Sequence, residues 1–324
     1  MTRLAQVSAA GFVATAITFG PGRMGFGLFL SDFKADFAFS SGTAGLVSGL
    51  GFFGFFLGLL AAYALTAKSG PRAPVTLGLV AAAIGAGTVA AAPGLEVLAA
   101  GVFLLMSSAG FSWAPYNNAV HRELPDDARP LALSIVSTGT SVGVAAAGAT
   151  SLLLGLAGPS WRIAWVAFAV AAAIAALVNF VALRDVAGSP GPQSDERWRD
   201  LFAAAARPLH AIAFSFGTTT AIYISFAADR IEQAGGLPGL PGSASSPVVF
   251  MAYGVLGLAG LATGRVRRAT GLTWLLRILL GVSVLSHALV ALSPTSWPGV
   301  ILSAGLQGVF VMMISAILAF WSER

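Results

Sequence analysis

Arg23 is the residue of this sequence whose type and position most clearly suggest chemistry. It follows Gly20, Pro21 and Gly22 inside a long apolar stretch near the N-terminus. Proline and glycine loosen a helix and expose backbone carbonyls, and a charged side chain in hydrocarbon costs about 2.5 to 3.5 kcal/mol. A guanidinium held there could bind a carboxylate or similar anion through two parallel hydrogen bonds. Alternatively, carbonyls neutralise Arg23, or its side chain reaches outward to the interface.

Other polar side chains also lie inside apolar stretches and could complete a binding site. They are Tyr116, Asn117, Asn118, Thr218, Thr219, Thr220, Tyr223, Ser225 and Gln307. Hydrogen bonding to neighbouring helices is the favoured explanation for most of them. Arg277 and His287 are interpreted as an interfacial arginine and a packing histidine.

Several kinds of chemistry are excluded by what the sequence lacks. No Asp or Glu lies inside an apolar stretch, which argues against a relay of buried carboxylates, and there is no cysteine. A phosphate-binding loop of the glycine-lysine type is also absent. We therefore predict no catalytic residue, no metal site, no cofactor and no enzymatic activity, since a membrane enzyme would need paired aspartates, paired histidines or a serine with a base.

Ten apolar stretches hold these residues. Hydrophobic residues make up 56% of the 324 positions and charged residues 10%, with a mean hydropathy of +0.83, whereas soluble domains carry about 25% charged residues. A hydrocarbon core requires about 20 apolar residues per helix, and lipid leaves no alternative to a helix. The stretches, named spans 1 to 10, lie near residues 8–30, 42–66, 73–92, 97–120, 130–156, 162–184, 208–228, 247–264, 272–292 and 298–320. The sequence predicts an all-α integral membrane protein.

The basic residues in the connections predict the orientation. If the N-terminus is cytoplasmic, thirteen Lys and Arg residues lie inside, and only Lys34, Arg162 and Arg230 lie outside. This is the bias of the positive-inside rule, so we expect both termini in the cytoplasm and the chain in the cell (plasma or inner) membrane. The net charge of +5 is spread between apolar stretches, which speaks against nucleic acid as a partner and leaves the lipid bilayer and a small solute.

The longest inside connection, 185–207, divides the chain into unequal parts. It contains Gly188-Ser189-Pro190-Gly191-Pro192 and then a charged segment, a composition typical of a linker. We predict a bundle of six helices over 1–184, a cytoplasmic linker over 185–207 and a bundle of four helices over 208–324. The longest outside connection, 229–246, is rich in glycine and proline and is predicted to be irregular.

Two inside turns resemble each other. One runs from Ala67 through Gly70 to Arg72 after span 2, and the other from Arg267 to Gly271 after span 8, with Gly70 and Gly271 lying 201 residues apart. Small residues spaced three or four apart precede both turns and predict smooth helix faces for close packing. They are Gly51, Gly54, Gly58, Gly254, Gly257, Gly260 and Gly264.

With these turns the whole chain resembles a permease of the major facilitator superfamily. The resemblance implies two related helix bundles, a gating role for Gly70, Arg72, Gly264 and Arg265, and a central cavity lined by spans 1, 4, 7 and 10. Both turns lack the acidic residue of that family's signature, which removes its usual gating salt bridge. Of the polar residues on the cavity spans, we predict that Arg23, Asn117, Thr219, Tyr223 and Gln307 bind the solute.

The resemblance also implies twelve spans, whereas ten are found, so roughly 60 residues, about two spans, would be missing from the second half. We predict that the chain is a secondary active or facilitative transporter of a small solute that works by alternating access, and an organic anion fits Arg23. One alternative is a truncated, non-transporting remnant or a partner membrane subunit, because spans are missing. Another alternative is an exporter of lipophilic compounds, because the rest of the interior is apolar.

Overall fold

A computed structural model describes residues 2–158, 160–184, 186, 206–241 and 244–322, and over these ranges the chain is helical without strands. Ten of the helices are long and apolar enough to cross a membrane. Their bounds are Arg3–Leu28, Ser41–Ser69, Arg72–Ala91, Leu95–Glu123, Arg129–Ala157, Trp161–Ala182, Arg207–Gln233, Ser245–Thr270, Leu272–Leu292 and Trp297–Leu318, for spans 1 to 10. The ten predicted spans and the all-α membrane fold are confirmed.

Three of the spans are interrupted. Span 1 consists of helix Arg3–Phe19, a π-helical turn Gly20–Met24 and helix Gly25–Leu28. Span 4 consists of helices Leu95–Gly110 and Trp113–Glu123. Span 8 consists of helix Ser245–Gly257, a 3₁₀ turn Leu258–Ala262 and helix Thr263–Thr270. Such irregular turns inside helices often accompany functional sites.

The two similar turns adopt the same backbone conformation. Gly70 ends span 2 with φ 74° and ψ −174°, and Gly271 begins span 9 with φ 78° and ψ 161°. A positive φ is strained for residues with a Cβ and favours glycine. The resemblance between the two sequence turns therefore reflects a shared structural requirement.

Glycines bring helices into close contact, as the small-residue pattern predicted. In span 2, methyl groups on Gly54 and Gly58 would overlap with the carbonyl oxygens of Phe103 and Ser107 in span 4. Gly254 of span 8 lies equally close to Ser141 of span 5. The two faces thus serve different contacts, one inside the first bundle and one between the bundles.

Large apolar side chains cover the outside of the helices. Leu46, Leu177 and Val284 are 77%, 65% and 70% exposed. In water such a surface would cause aggregation, whereas lipid tails solvate it. The exposed belt and the glycine-rich interior together fit a protein folded in a bilayer.

Two connections differ from the sequence prediction. The loop predicted at 229–246 is shorter, because span 7 stays helical to Gln233, where the Gln233 side chain donates to Asp229 one turn earlier. An additional helix, Leu30–Phe37, follows span 1 and buries Phe33 against Trp161. Most of the predicted linker at 185–207, namely residue 185 and residues 187–205, lies outside the described residues.

Candidate solute-binding site

Arg23 lies in the π-helical turn of span 1 and faces aromatic rings. Its guanidinium carbon is 5.0 Å from the ring centre of Phe55 and 5.9 Å from those of Phe19 and Phe52. The residue is half-buried, and its Nε atom is buried without a hydrogen-bond partner. Among the described residues no carboxylate forms an ion pair with it. Aromatic faces stabilise a cation only partly, so the guanidinium keeps its capacity for a bidentate anion.

Tyr253 of span 8 faces Arg23 across the boundary between the bundles. The two groups are close enough for their charges to interact. Tyr253 is 3% exposed, and its buried hydroxyl has no hydrogen-bond partner among the residues described. Sequence analysis did not select it, although a tyrosine beside Gly254 in an apolar span was a usable signal. A phenol next to a guanidinium adds a second hydrogen-bond donor for an anion.

Span 7 contributes Tyr223, whose ring centre lies 6.4 Å from that of Tyr253. The Tyr223 hydroxyl is 2.9 Å from the Ser303 hydroxyl in span 10. Thr219 uses its hydroxyl as a donor to the Ser215 carbonyl of its own helix at 2.8 Å. Its carbonyl oxygen contacts Nε2 of His287, and this contact ties span 9 to span 7.

Gln307 of span 10 is fully buried, and neither its Nε2 nor its Oε1 has a hydrogen-bond partner in the part of the chain that the structure describes. Thr220 of span 7 is also fully buried, and its hydroxyl has no partner within the same ranges. Buried polar atoms are normally satisfied, so two such side chains are unusual. Sequence analysis had named Gln307 as a binding residue, whereas Thr220 was only one of several polar side chains.

Asn117 belongs to the second helix of span 4, nearer the termini than Arg23. Its Oδ1 is buried without a partner, and the same holds for Asn118. The neighbouring Tyr116 donates its hydroxyl to Asn179 of span 6. These contacts therefore group Arg23, Tyr253 and Tyr223, with Gln307 one turn beyond Ser303, and they do not include Asn117.

The four residues predicted to gate all lie at the end that carries the chain termini, in two separate places. Arg72 places its guanidinium 3.9 Å from the ring centre of Phe180, and its Nε donates to the Phe180 carbonyl. Gly264 and Arg265 line a groove of about 500 Å³ with Arg268 and the 3₁₀ turn of span 8. Arg72 therefore fixes span 3 to span 6, while Arg265 borders open space.

The opposite end, which we call the far end, joins the bundles directly. Lys34 Nζ is 2.7 Å from Asp229 Oδ2, and the Ser48 and Ser225 hydroxyls are 2.6 Å apart. A methyl group on Gly27 would overlap with the carbonyl oxygen of Ile224. Sequence analysis missed the ion pair, although Lys34 and Asp229 each lie near the outer end of the first span of their bundle.

Asp32 belongs to helix Leu30–Phe37, which also carries Lys34. Burial raises the pKa of its carboxyl from 3.8 to about 6, with further contributions from the negative charges of Glu232 and Asp36. The far end therefore contains a carboxyl group that changes its charge in mildly acidic solution.

Comparisons with known proteins relate this arrangement to one family. The sequence model of the Major Facilitator Superfamily matches residues 11–324. No curated protein sequence matches the chain. One similar solved structure is a bacterial homologue of the human lysosomal transporter Spinster in an inward-facing and unoccupied conformation. It aligns with a TM-score of 0.74 at 16% identity, over 97% of this chain and 75% of that one. A mutant of the nucleoside transporter NupG aligns with a TM-score of 0.72 at 16% identity, over 98% of this chain and 82% of that one.

A third similar structure is a POT family transporter in complex with 5-aminolevulinic acid. Its TM-score is 0.64 at 13% identity, over 97% of this chain and 82% of that one. At such identities the likeness establishes the fold alone.

Proposed function

The chain belongs to the major facilitator superfamily, and we propose that it carries a small organic anion across the membrane by alternating access, with Arg23 as the anion-binding group. The family membership makes it a membrane transport protein for small solutes. The anion and the transport mechanism are our proposals.

The observation that carries the proposal is the unpaired guanidinium of Arg23. A cation inside an apolar bundle is costly unless it is compensated, and Arg23 has aromatic rings but no carboxylate of the described residues beside it. A carboxylate of the solute would supply two charge-assisted hydrogen bonds, each worth about 1.5 to 3 kcal/mol. The unpartnered hydroxyl of Tyr253 would supply a third bond from the second bundle.

Alternating access is supported by the position of this group between the bundles. Arg23 belongs to the first bundle and Tyr253 to the second, while the far end is closed by the Lys34–Asp229 pair. Rocking of one bundle against the other around a central site would open the far end and close the end with the termini. The count of basic residues supports a cytoplasmic position for the termini.

The test is uptake by vesicles that contain the purified protein. Radiolabelled monocarboxylates are offered to vesicles with the unaltered chain, Arg23→Ala, Arg23→Lys or Arg277→Ala, and protein-free vesicles give the blank. Arg277 is a matched control, because it is exposed and lies 5.1 Å from the Trp274 ring. We expect Arg23→Ala to reduce uptake at least tenfold, Arg23→Lys to retain part of it, and the control to be unchanged.

Unaltered uptake in folded Arg23→Ala would contradict the proposal. If no solute entered vesicles with the correctly inserted, unaltered chain, a non-transporting membrane subunit would be the better description.

A further inference from the structure

We propose that Thr220 and Gln307 form a second subsite, which binds an uncharged hydroxyl or amide group on the same solute whose carboxylate is held by Arg23. This inference rests on the proposed function, because it assigns the part of the solute that Arg23 does not bind. The transported compound is then a hydroxylated or amide-bearing carboxylate.

The register of spans 7 and 10 places Thr220 opposite Gln307. Spans 7 and 10 are antiparallel, and two contacts fix their register: the Tyr223 hydroxyl lies 2.9 Å from that of Ser303, and the ring centres of Phe216 and Phe310 are 5.7 Å apart. Residues 216, 220 and 223 share one face of a helix, as do 303, 307 and 310. Thr220 and Gln307 therefore form the middle pair between these two contacts.

Thr220 and Gln307 cannot satisfy all of each other's hydrogen-bond donors and acceptors. Gln307 offers two N–H donors and an acceptor oxygen, and Thr220 offers one donor and an acceptor. A bond between the two residues would engage only one of the two amide atoms of Gln307. Both side chains are fully buried, and their three polar atoms have no partner among the described residues. A buried polar group without a partner lowers the stability of the fold, so this polar pair destabilises the protein unless a ligand satisfies it.

The group that complements Thr220 and Gln307 must both donate and accept hydrogen bonds. A carboxylate only accepts hydrogen bonds and would leave Oε1 of Gln307 without a donor. A hydroxyl or a carboxamide both donates and accepts, so it can satisfy Oε1 and a donor at the same time. The pair also lacks a charge, and the subsite therefore selects a neutral group.

Two tyrosine side chains lie between the two subsites. Arg23 interacts with Tyr253, the Tyr253 ring lies 6.4 Å from the Tyr223 ring, and Tyr223 contacts Ser303, one turn before Gln307. Two tyrosine rings thus separate the guanidinium from the amide. A solute that reaches both subsites carries its hydroxyl or amide several bonds from the carboxylate.

The test is binding to the purified full chain, measured by calorimetry with two matched pairs of acids. The pairs are 4-hydroxybutyrate with butyrate and 6-hydroxyhexanoate with hexanoate, and each pair differs by one hydroxyl. Sites built around a hydroxyl discriminate strongly against analogues without it. We expect the hydroxy acid of at least one pair to bind more than tenfold tighter, and this preference to fall below threefold in Thr220→Val and in Gln307→Leu.

Controls separate a binding role from a packing role. Thr220→Ser keeps the hydroxyl and should keep the preference, and Thr88→Val replaces a partly exposed threonine that is bonded to its own helix. If Gln307→Leu raises the melting temperature and leaves the preference unchanged, the pair is only an unsatisfied packing contact and the inference is wrong. Equal binding of both acids in each pair by the unaltered chain would also overturn it.

The two proposals can fail separately. Loss of the preference in Thr220→Val with retained, Arg23-dependent binding of the plain acid supports both. Arg23-dependent binding without any hydroxyl preference retains the anion site and removes the second subsite. Binding that is independent of Arg23 removes the proposed function, and the inference falls with it.

Discussion

The two ends of the helix bundle are held together differently. At the far end, Lys34 pairs with Asp229 and Ser48 with Ser225, and both contacts join the first bundle to the second. At the end with the termini, Arg3 pairs with Glu123 and Arg72 stacks on Phe180, and both contacts stay inside the first bundle. Contacts of the first kind oppose separation of the bundles, while contacts of the second kind only stabilise one of them. The comparison indicates that the far end is the closed side of this conformation.

Of the substitutions that test the difference between the two ends, Gly27→Ala is expected to have the largest effect. The new methyl group would overlap with the Ile224 carbonyl, a backbone atom that cannot turn away, so the bundles must separate at the far end. Because the chain has no cysteine, a single Ser225→Cys residue can report access by its labelling with an impermeant maleimide. We expect labelling to accelerate more than tenfold. Gly49→Ala is the control, since its methyl group would meet nothing within 4 Å, and an unchanged rate in Gly27→Ala would show that the far end is not tightly closed.

The next largest effect is expected from breaking the ion pair. The side chains of Lys34 and Asp229 are 17% and 7% exposed, and removal of one partner leaves the other poorly compensated. We expect Lys34→Met or Asp229→Asn to accelerate labelling of Ser225→Cys about tenfold. The exchange of both charges, Lys34→Asp with Asp229→Lys, should restore part of the pairing and slow the labelling again. Arg230→Gln removes an exposed charge at the same end and should have no effect; an equal effect would mean that net charge, not pairing, closes this end.

A smaller effect is expected from pH. The pKa of Asp32 is raised to about 6 in this conformation, and it returns towards 3.8 when opening exposes the group to water. Protonated Asp32 therefore favours the closed far end fully below about pH 4, and this contribution is lost as the pH rises through 6. Labelling of Ser225→Cys should be severalfold slower at pH 5 than at pH 7.5, after correction for thiol reactivity. Asp32→Asn should abolish the difference, and a persistent pH dependence in that variant would assign it to another group.

The smallest effect is expected at the end with the termini. Arg3→Ala removes a partly exposed ion pair with Glu123, a kind of contact that contributes about 0 to 1 kcal/mol. The melting temperature should fall slightly, and labelling of Ser225→Cys should stay the same. Faster labelling in Arg3→Ala would remove the distinction between the two ends.

The sequence was sufficient to predict the spans, because their length and hydrophobicity follow directly from the thickness of a bilayer. It also indicated the irregular turn at Arg23, since Gly20-Pro21-Gly22 cannot form a regular helix interior. Lys34–Asp229 was not predictable in the same way, because it joins residues 195 positions apart. The position of Thr220 opposite Gln307 depends on the register of two helices, which composition does not specify. Helix Leu30–Phe37 was missed because it is short and contains three charged residues within eight.

The π-helical turn Gly20–Met24 has a consequence for the sequence length of span 1. A π-turn holds one residue more than an α-turn, and one residue corresponds to a rotation of about 100° around a helix axis. The wider turn absorbs this rotation, so deletion of one residue here would restore regular winding and leave the helix beyond the turn in nearly the same orientation. Gly27 would then still face Ile224, whereas the side chains inside the turn, including that of Arg23, would be rotated away from their present partners. A change of length in this segment should thus disturb the site at Arg23 more than the contact between the bundles at Gly27.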